Sequence, residues 1–303
     1  MLRNCSYLLA LLLTAPLSLS AQVSLENKYS EGTRHSIEIE QKSVQTLTLA
    51  GMNIDTKSSV FSVVTTSIGQ RSGDGTLAFT ETVESLQSET ALPGGIEIRF
   101  DSKDPDKKLD NPLLEPFLDV LRAACRIPVT IELDRQNQIQ RASRPESEVN
   151  KLSDAARKRF SSENLKVEAQ KSLAFLPDQP VKKGDRWERT LDMDAGDGQI
   201  LSFQTRYEYA GTVDQAGVDL DKIDQKVLAV TYSVNGNPSL QIKNSDLIVL
   251  ESTGVILFNR EIGAAVSRSS KVHVAGPLTL VFNGAELGGK VDLTIEEVAS
   301  RRK

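Results

Sequence analysis

His35 and His273 are the only histidines in the chain, and histidine is the usual general base of nucleophilic hydrolysis. Each lies in a run that alternates apolar and polar residues, which favours a histidine packed in a sheet over a catalytic one. The chain has no Gly-x-Ser-x-Gly sequence and no phosphate-binding Gly-rich loop followed by Lys-Ser or Lys-Thr. We therefore expect a non-enzymatic protein. A sugar-cleaving carboxylate pair stays open as an alternative, although a single Trp offers few aromatic platforms.

Three short aspartate runs could supply oxygen ligands to Ca²⁺. They are Asp101, Asp104 and Asp106; Asp192, Asp194 and Asp197; and Asp219, Asp221 and Asp224. The second run fails EF-hand spacing, because its sixth position is Asp197 and its twelfth is Phe203. Aspartate also favours turns by bonding its own backbone. Since His35, His273 and Cys125 also lack zinc-ligand spacing, we expect no metal and no other cofactor.

The charge balance bears on the class of partner. The 303 residues include 36 Lys and Arg against 41 Asp and Glu, a formal charge of −5. Nucleic-acid-binding proteins normally carry a basic excess. Arg157, Lys158 and Arg159 are better explained as the solvated end of a helix. We expect no nucleic-acid partner.

Residues 1–21 have the pattern of a secretory signal peptide. Arg3 supplies the positive charge, the apolar core from Tyr7 to Leu13 is too short to span a bilayer, and small residues indicate a cut near Ser20 or Ala21. An uncleaved anchor is the alternative. No later apolar run is long enough for a transmembrane helix. We expect a secreted or periplasmic protein whose remaining cysteine, Cys125, is buried or, less often, in an intermolecular bridge.

Most of the remaining chain alternates apolar and polar residues with the period of a β-strand. The clearest runs are His35–Ile39, Ile96–Phe100, Leu201–Tyr209 and Val291–Ile295, with a weaker one at Leu77–Val83. Strands with one solvent-exposed face are typical of antiparallel sheets. Turn dipeptides separate the runs, at Asp74-Gly75, Asp197-Gly198, Asn235-Gly236 and Asn283-Gly284.

Helices are predicted near the middle of the chain. Apolar residues three or four apart place a helix within 112–125, with Pro116 in its first turn. Ser143 and Glu146 form a capping box that should open a second helix reaching Phe160. A third stretch runs from Glu163 to Ala174.

These patterns predict an α+β fold, mainly antiparallel β, with two β-rich halves joined by a helical connector. The boundaries are 22–142 for the first half, 143–177 for the connector and 178–303 for the second half. Gly32-Thr33-Arg34-His35 and Gly184-Asp185-Arg186-Trp187 open similar strands in the two halves. A repeat or a chance similarity between hairpins would each explain this.

The segment from Leu176 to Trp187 resembles the Leu-Pro…Pro-Val-x-x-Gly-Asp-x-Trp turn of a family of exported bacterial proteins of unknown function. The roles of its residues are structural: Gly184 permits the turn and Trp187 begins a strand as a core anchor. More distantly, the curved antiparallel sheets predicted for this chain, with helices packed at their open end, are similar to the bacterial lipoprotein-carrier half-barrel. That resemblance implies an apolar cavity for acyl chains.

Our functional hypothesis is an exported protein that binds or carries an apolar ligand such as a lipid between sheet and helices. The cavity residues we predict share large side chains on the expected apolar faces: Leu114, Phe117, Leu121, Trp187, Phe203 and Tyr207. The helix within 112–125 would be the lid, with Leu114, Phe117 and Leu121 pointing at the sheet. An equally open alternative is that these side chains simply complete the hydrophobic core. The rival function is a structural or protein-interaction module of the cell envelope, without a small ligand.

Overall fold

The structure, a computed structural model, describes residues 22–106, 114–196, 199–234, 241–282 and 284–302. Its thirteen strands are β1 Arg34–Leu49, β2 Met52–Ile68, β3 Leu77–Leu92, β4 Ile96–Asp101, β5 Val129–Leu133, β6 Ile139–Ser143, β7 Arg186–Gly196, β8 Gln199–Gln215, β9 Val218–Val234, β10 Gln241–Ser245, β11 Ile248–Asn259, β12 Ala264–Phe282 and β13 Ala285–Arg301. The helices are α1 Glu115–Arg126, α2 Glu146–Val149, α3 Asp154–Arg159 and α4 Ser162–Ser172, and a short 3₁₀ turn spans Pro93–Gly95.

All strands belong to one antiparallel sheet. Its order is β6-β5-β3-β2-β1-β13-β12-β11-β9-β8-β7, with β4 added to β3 and β10 added to β12. The predicted antiparallel class is therefore confirmed. The first and last strands pair along their length, from Ile37 opposite Arg301 to Leu49 opposite Gly289. The division into two halves and a helical connector is not confirmed, because both β-rich parts share this sheet.

Two of the three predicted helical stretches lie where the sequence places them, and the second begins at a different residue. α1 lies in the expected place, with a proline in its first turn, and α4 matches the third stretch. The capping box at Ser143 is wrong: Ser143 ends β6 and pairs with Thr130. The backbone of Ser143 therefore bonds within the sheet and does not open a helix. The helical segment that follows is divided into α2 and α3, and Ser153 caps α3 by accepting from the Ala156 amide.

A continuous hydrophobic cluster marks one side of the sheet. It runs from Leu201 of β8 to Leu293 of β13, and the strands between them continue it through Val227 of β9, Val249 of β11 and Val274 of β12. Side chains on one face of neighbouring strands are close enough to pack together. We call the side that carries this cluster the inner face.

The helices cover part of the inner face. Leu165 and Ala169 of α4, and Leu173 directly after it, pack against Leu77, Phe79 and other residues of β2, β3, β5 and β6. α1 packs on β3 and β4, and its other side contacts α3. No helix in the described part of the chain is both long and apolar enough to cross a membrane.

Residues 22–33, which we call the N-terminal strap, tie distant parts of the sheet together. Val23 pairs with Val181 just before β7, and Leu25 is buried among side chains of β8, β9 and β11. Tyr29 stacks on Phe79 of β3, with ring centroids 5.4 Å apart. The strap thus contacts both the β7–β9 end and the β3–β6 end of the sheet.

The turn dipeptides have mixed outcomes. Asp74-Gly75 lies in the β2–β3 turn, where the Asp74 carboxylate accepts from the Thr76 amide. Asp197-Gly198, Asn235-Gly236 and Asn283 lie outside the described residues, as do residues 1–21 with the predicted signal peptide.

Candidate functional site

The turn before β7 fixes the start of that strand against β8. Gly184, at φ +91°, donates to the Tyr209 carbonyl oxygen over 2.8 Å, and the Tyr209 amide donates back to Asp185. The Asp185 carboxylate accepts from the Lys182 amide at 2.9 Å. Glycine suits this conformation because it lacks the Cβ that disfavours positive φ. The residues that drew attention in the sequence therefore build a turn.

Trp187 anchors this turn to the helical segment. Its indole Nε1 donates to the Phe175 carbonyl oxygen at 3.0 Å, and its ring stacks on Tyr207 at 5.8 Å. Tyr207 is 1% exposed, and desolvation raises the pKa of its phenol. Both rings belong to the cluster that also buries Leu25 and Phe258.

The other predicted cavity residues lie elsewhere. Phe203 packs in the cluster of Leu201 and Leu293, while Leu114 and Leu121 pack beside the buried Leu118 on β3 and β4. The six residues thus fall into three separate regions and do not meet in one cavity.

The predicted orientation of Phe117 is wrong. Its side chain is 43% exposed, whereas the neighbouring Leu118 is 1% exposed. Successive residues of a helix point about 100° apart, so the stripe formed by Leu114, Leu118 and Leu121 leaves Phe117 beside the interface.

A cleft of about 580 Å³ lies between the strap, the β5–β6 turn, the end of α4 and β7. Its apolar lining consists of Leu25, Tyr29, Ile139, Leu173, Ala174, Leu176 and Pro177. Its polar lining consists of Glu26, Asn27, Gln136, Asn137, Gln138, Gln170, Asp178 and Arg189. No sequence pattern predicts this site, because four separate segments of the chain form it and none of them carries a recognisable motif.

Among the described residues that line this cleft, Arg189 is the only cation, and its donors are already bonded to the protein. Its Nη2 donates to the Leu176 carbonyl oxygen at 3.0 Å and to the Asp178 carboxylate at 2.9 Å. Its Nη1 donates to the Glu188 carbonyl oxygen. The guanidinium therefore positions the segment after α4 at the rim of the cleft.

Two titratable side chains lie beyond the cleft on the inner face. His35 and Glu81 both pair with Thr66 of β2, so the three residues form one row. Burial raises the pKa of Glu81, and burial together with the Arg301 charge lowers the pKa of His35. Both shifts favour neutral side chains. His273, by contrast, hydrogen-bonds the Asp292 carboxylate at 2.9 Å.

The aspartate runs lead to ordinary contacts where they are described. Asp221 is buried and accepts from Tyr209 Oη at 2.7 Å and Arg260 Nε at 2.5 Å. Asp192 accepts from Ser202 Oγ, and Asp224 pairs with Lys222. Within the described ranges no three His, Cys, Asp or Glu side chains are grouped to hold a metal.

Comparison with known proteins adds a family match. Residues 74–221, which include the Trp187 turn and most of the cleft lining, match the model of a family of unknown function, DUF6263. No curated protein matches the chain. The Leu-Pro…Trp motif and the lipoprotein-carrier resemblance are not confirmed and stay predictions.

Solved structures give only weak similarity. Lipovitellin, from a structure described as showing its lipid–protein interactions, has 12% identity and a TM-score of 0.46, and the match covers 91% of this chain but only 26% of lipovitellin. OccK5 (OpdH) of Pseudomonas aeruginosa has 8% identity and a TM-score of 0.28, with 90% and 99% of the two chains covered. A Bacteroides fragilis protein with a YmcC-like fold has 9% identity and a TM-score of 0.21, with 93% and 100% covered. The chain is therefore similar, over residues 74–221, to a family of unknown function.

Proposed function

We propose that this is an exported, non-enzymatic protein that binds a small amphipathic ligand, such as a lipid, in the cleft beneath the N-terminal strap. The observation that carries the proposal is the mixed lining of one cleft, which combines seven apolar and eight polar residues. Its volume of about 580 Å³ falls within the range of about 300–1,000 Å³ typical of ligand sites.

The apolar part has the composition that an acyl chain requires. Leu173, Leu176 and Pro177 lie in the segment directly after α4, and Leu25 and Tyr29 belong to the strap. Each of the three leucines also touches a neighbouring hydrophobic cluster, so the lining rests on packed side chains. A ligand would gain about 25 cal/mol for each Å² of apolar surface that it removes from water.

A substitution that fills the cleft tests this function. Ala174 lines the cleft, whereas Ser172, two residues earlier, is exposed and does not. In native mass spectrometry of protein from its source, and in uptake of a fluorescent fatty acid or monoacylglycerol, A174W should lose the ligand and S172W should retain it. An apo mass from source together with no uptake of either probe would refute the proposal.

Export is the second part of the proposal. It depends on the signal-like pattern of residues 1–21, and the cut is expected near Ser20 or Ala21. Intact mass and N-terminal sequencing of protein from the envelope or medium would check it. A mature chain that retains Met1 would contradict it.

A protein-interaction module is the alternative function, and the free edge of β7 favours it. In the described residues β7 pairs with β8 alone, which leaves Arg186–Gly196 with one edge unpaired at the end of the sheet. Such edges can accept a strand from a partner. A stoichiometric protein partner recovered from envelope extracts, without bound lipid, would favour this alternative over the ligand-binding function.

A further inference from the structure

Carboxamides dominate the polar lining of the cleft. Five of its eight polar lining residues are amides, namely Asn27, Gln136, Asn137, Gln138 and Gln170. They come from the strap, the β5–β6 turn and α4. A carboxamide offers two N–H donors and a carbonyl acceptor without a net charge, so this rim can both donate to and accept from a neutral ligand.

The charged lining residues do not favour an anionic ligand. Arg189 is held by Asp178 and by two carbonyl oxygens, and Glu26 of the strap adds a negative charge to the lining. A carboxylate or phosphate head would find no free cation among the described lining residues. It would also leave amide carbonyl oxygens without donors, which is costly when they lose water.

The local contacts leave amide groups free for a ligand. Asn137 accepts from Arg71 Nη2 at 2.7 Å, so its NH₂ group is not needed for that contact. The side chains of Gln136 and Gln170 form no hydrogen bond to protein within the described residues, and both are exposed at the rim. Donors and acceptors are thus both available.

From this juxtaposition we propose that the cleft selects a neutral, hydroxyl-rich head group, as in an alkyl glycoside or a monoacylglycerol, above an apolar chain. A hydroxyl both donates and accepts, so it matches a carboxamide in either role. The inference rests on the proposed ligand-binding function and names the class of ligand for the same site.

Four probes that share a twelve-carbon chain separate the head groups. Binding of dodecyl maltoside, monododecanoyl glycerol, dodecanoate and dodecyl phosphate is measured by calorimetry or NMR, each below its micelle concentration. We expect the maltoside or the glycerol ester to bind about tenfold more tightly than either anion. These two neutral probes distinguish a sugar head from a glycerol head.

Matched variants identify the residues responsible. Q136L combined with Q170L should weaken binding of the preferred neutral probe about tenfold and leave dodecanoate binding unchanged. Q179L is the control, since Gln179 is exposed and outside the cleft. Equal or tighter binding of an anion, or an unaffected double variant, would overturn the head-group inference alone. Absence of binding for all four probes would refute the ligand-binding function as well.

Discussion

The indole of Trp187 and the backbone of Phe175 are joined by one hydrogen bond of 3.0 Å, across the junction between the helical segment and β7. The Phe175 side chain is buried in the same cluster as Tyr207, and its ring meets Phe258 edge-on at 6.2 Å. This contact fixes where the chain leaves α4, and therefore where Leu173 and Leu176 lie in the cleft.

Trp187→Phe should destabilise the protein by about 2 kcal/mol, because it leaves the Phe175 carbonyl oxygen unpaired and removes part of a stacked ring. Circular dichroism during urea unfolding measures the change, since Trp187 is the only Trp and its fluorescence is lost. Phe117→Leu is the control: its exposed ring predicts a change below about 0.5 kcal/mol. Equal losses in the two variants would contradict this account.

The buried Asp221 carboxylate should be essential to the hairpin ends of β8, β9 and β11. Asp221→Asn weakens its bonds with Tyr209 Oη and Arg260 Nε, and we expect a loss of about 2–3 kcal/mol in the free energy of unfolding. The value is below that of a fully buried pair because Arg260 is 41% exposed. Asp224→Asn, in an exposed pair with Lys222, should cost under about 1 kcal/mol.

Gly263 should control the docking of the N-terminal strap. A Cβ at Gly263 would lie 2.3 Å from the Lys28 backbone nitrogen, which donates to the Gly263 carbonyl oxygen at 3.0 Å. Gly263→Ala should release the strap and accelerate tryptic cleavage after Lys28. Gly217→Ala is the matched control. Gly217 also has a positive φ but has open space around it, so this variant measures the effect of backbone strain alone. The same cleavage rate in both variants would show that the strap does not depend on this contact.

Stability should depend on pH through Glu81. Because the folded-state pKa is raised, its favourable contribution is complete below the unfolded value of about 4.5 and is lost as pH rises through the folded value. Glu81→Gln should therefore be more stable than wild type at pH 7, with the difference disappearing near pH 4. Urea unfolding at several pH values measures this. Glu84→Gln, on the same strand but exposed and paired with Arg34, should give no such gain.

Cys125 should react slowly as long as the protein is folded. Desolvation raises the pKa of its thiol to about 11, although Arg144 and Arg126 act in the opposite direction. The thiolate is the reactive form, so labelling by a disulfide reagent at pH 8 should be about 100-fold slower than in urea. Rapid labelling of the folded protein would instead indicate an accessible thiolate.

Much of the secondary structure could be predicted because local patterns determine it. The alternation at His35–Ile39 and Leu201–Tyr209 lies in β1 and β8, and the strand starts at Arg34 and Arg186 follow the expected glycines. The Ser143 capping box failed for a physical reason. Its local signal is the same whether the backbone groups of Ser143 bond within a helix or to Thr130 across a sheet.

The sequence alone determined the antiparallel class, the positions of α1 and α4, and a turn before Trp187, because periodicity and turn chemistry act over a few residues. Only the tertiary structure decided that β1 pairs with β13, that Phe117 points outward, and that four distant segments form a single cleft. Such contacts depend on which strands become neighbours and how far the sheet bends. Both are set by the packing of the whole chain, which no local pattern encodes.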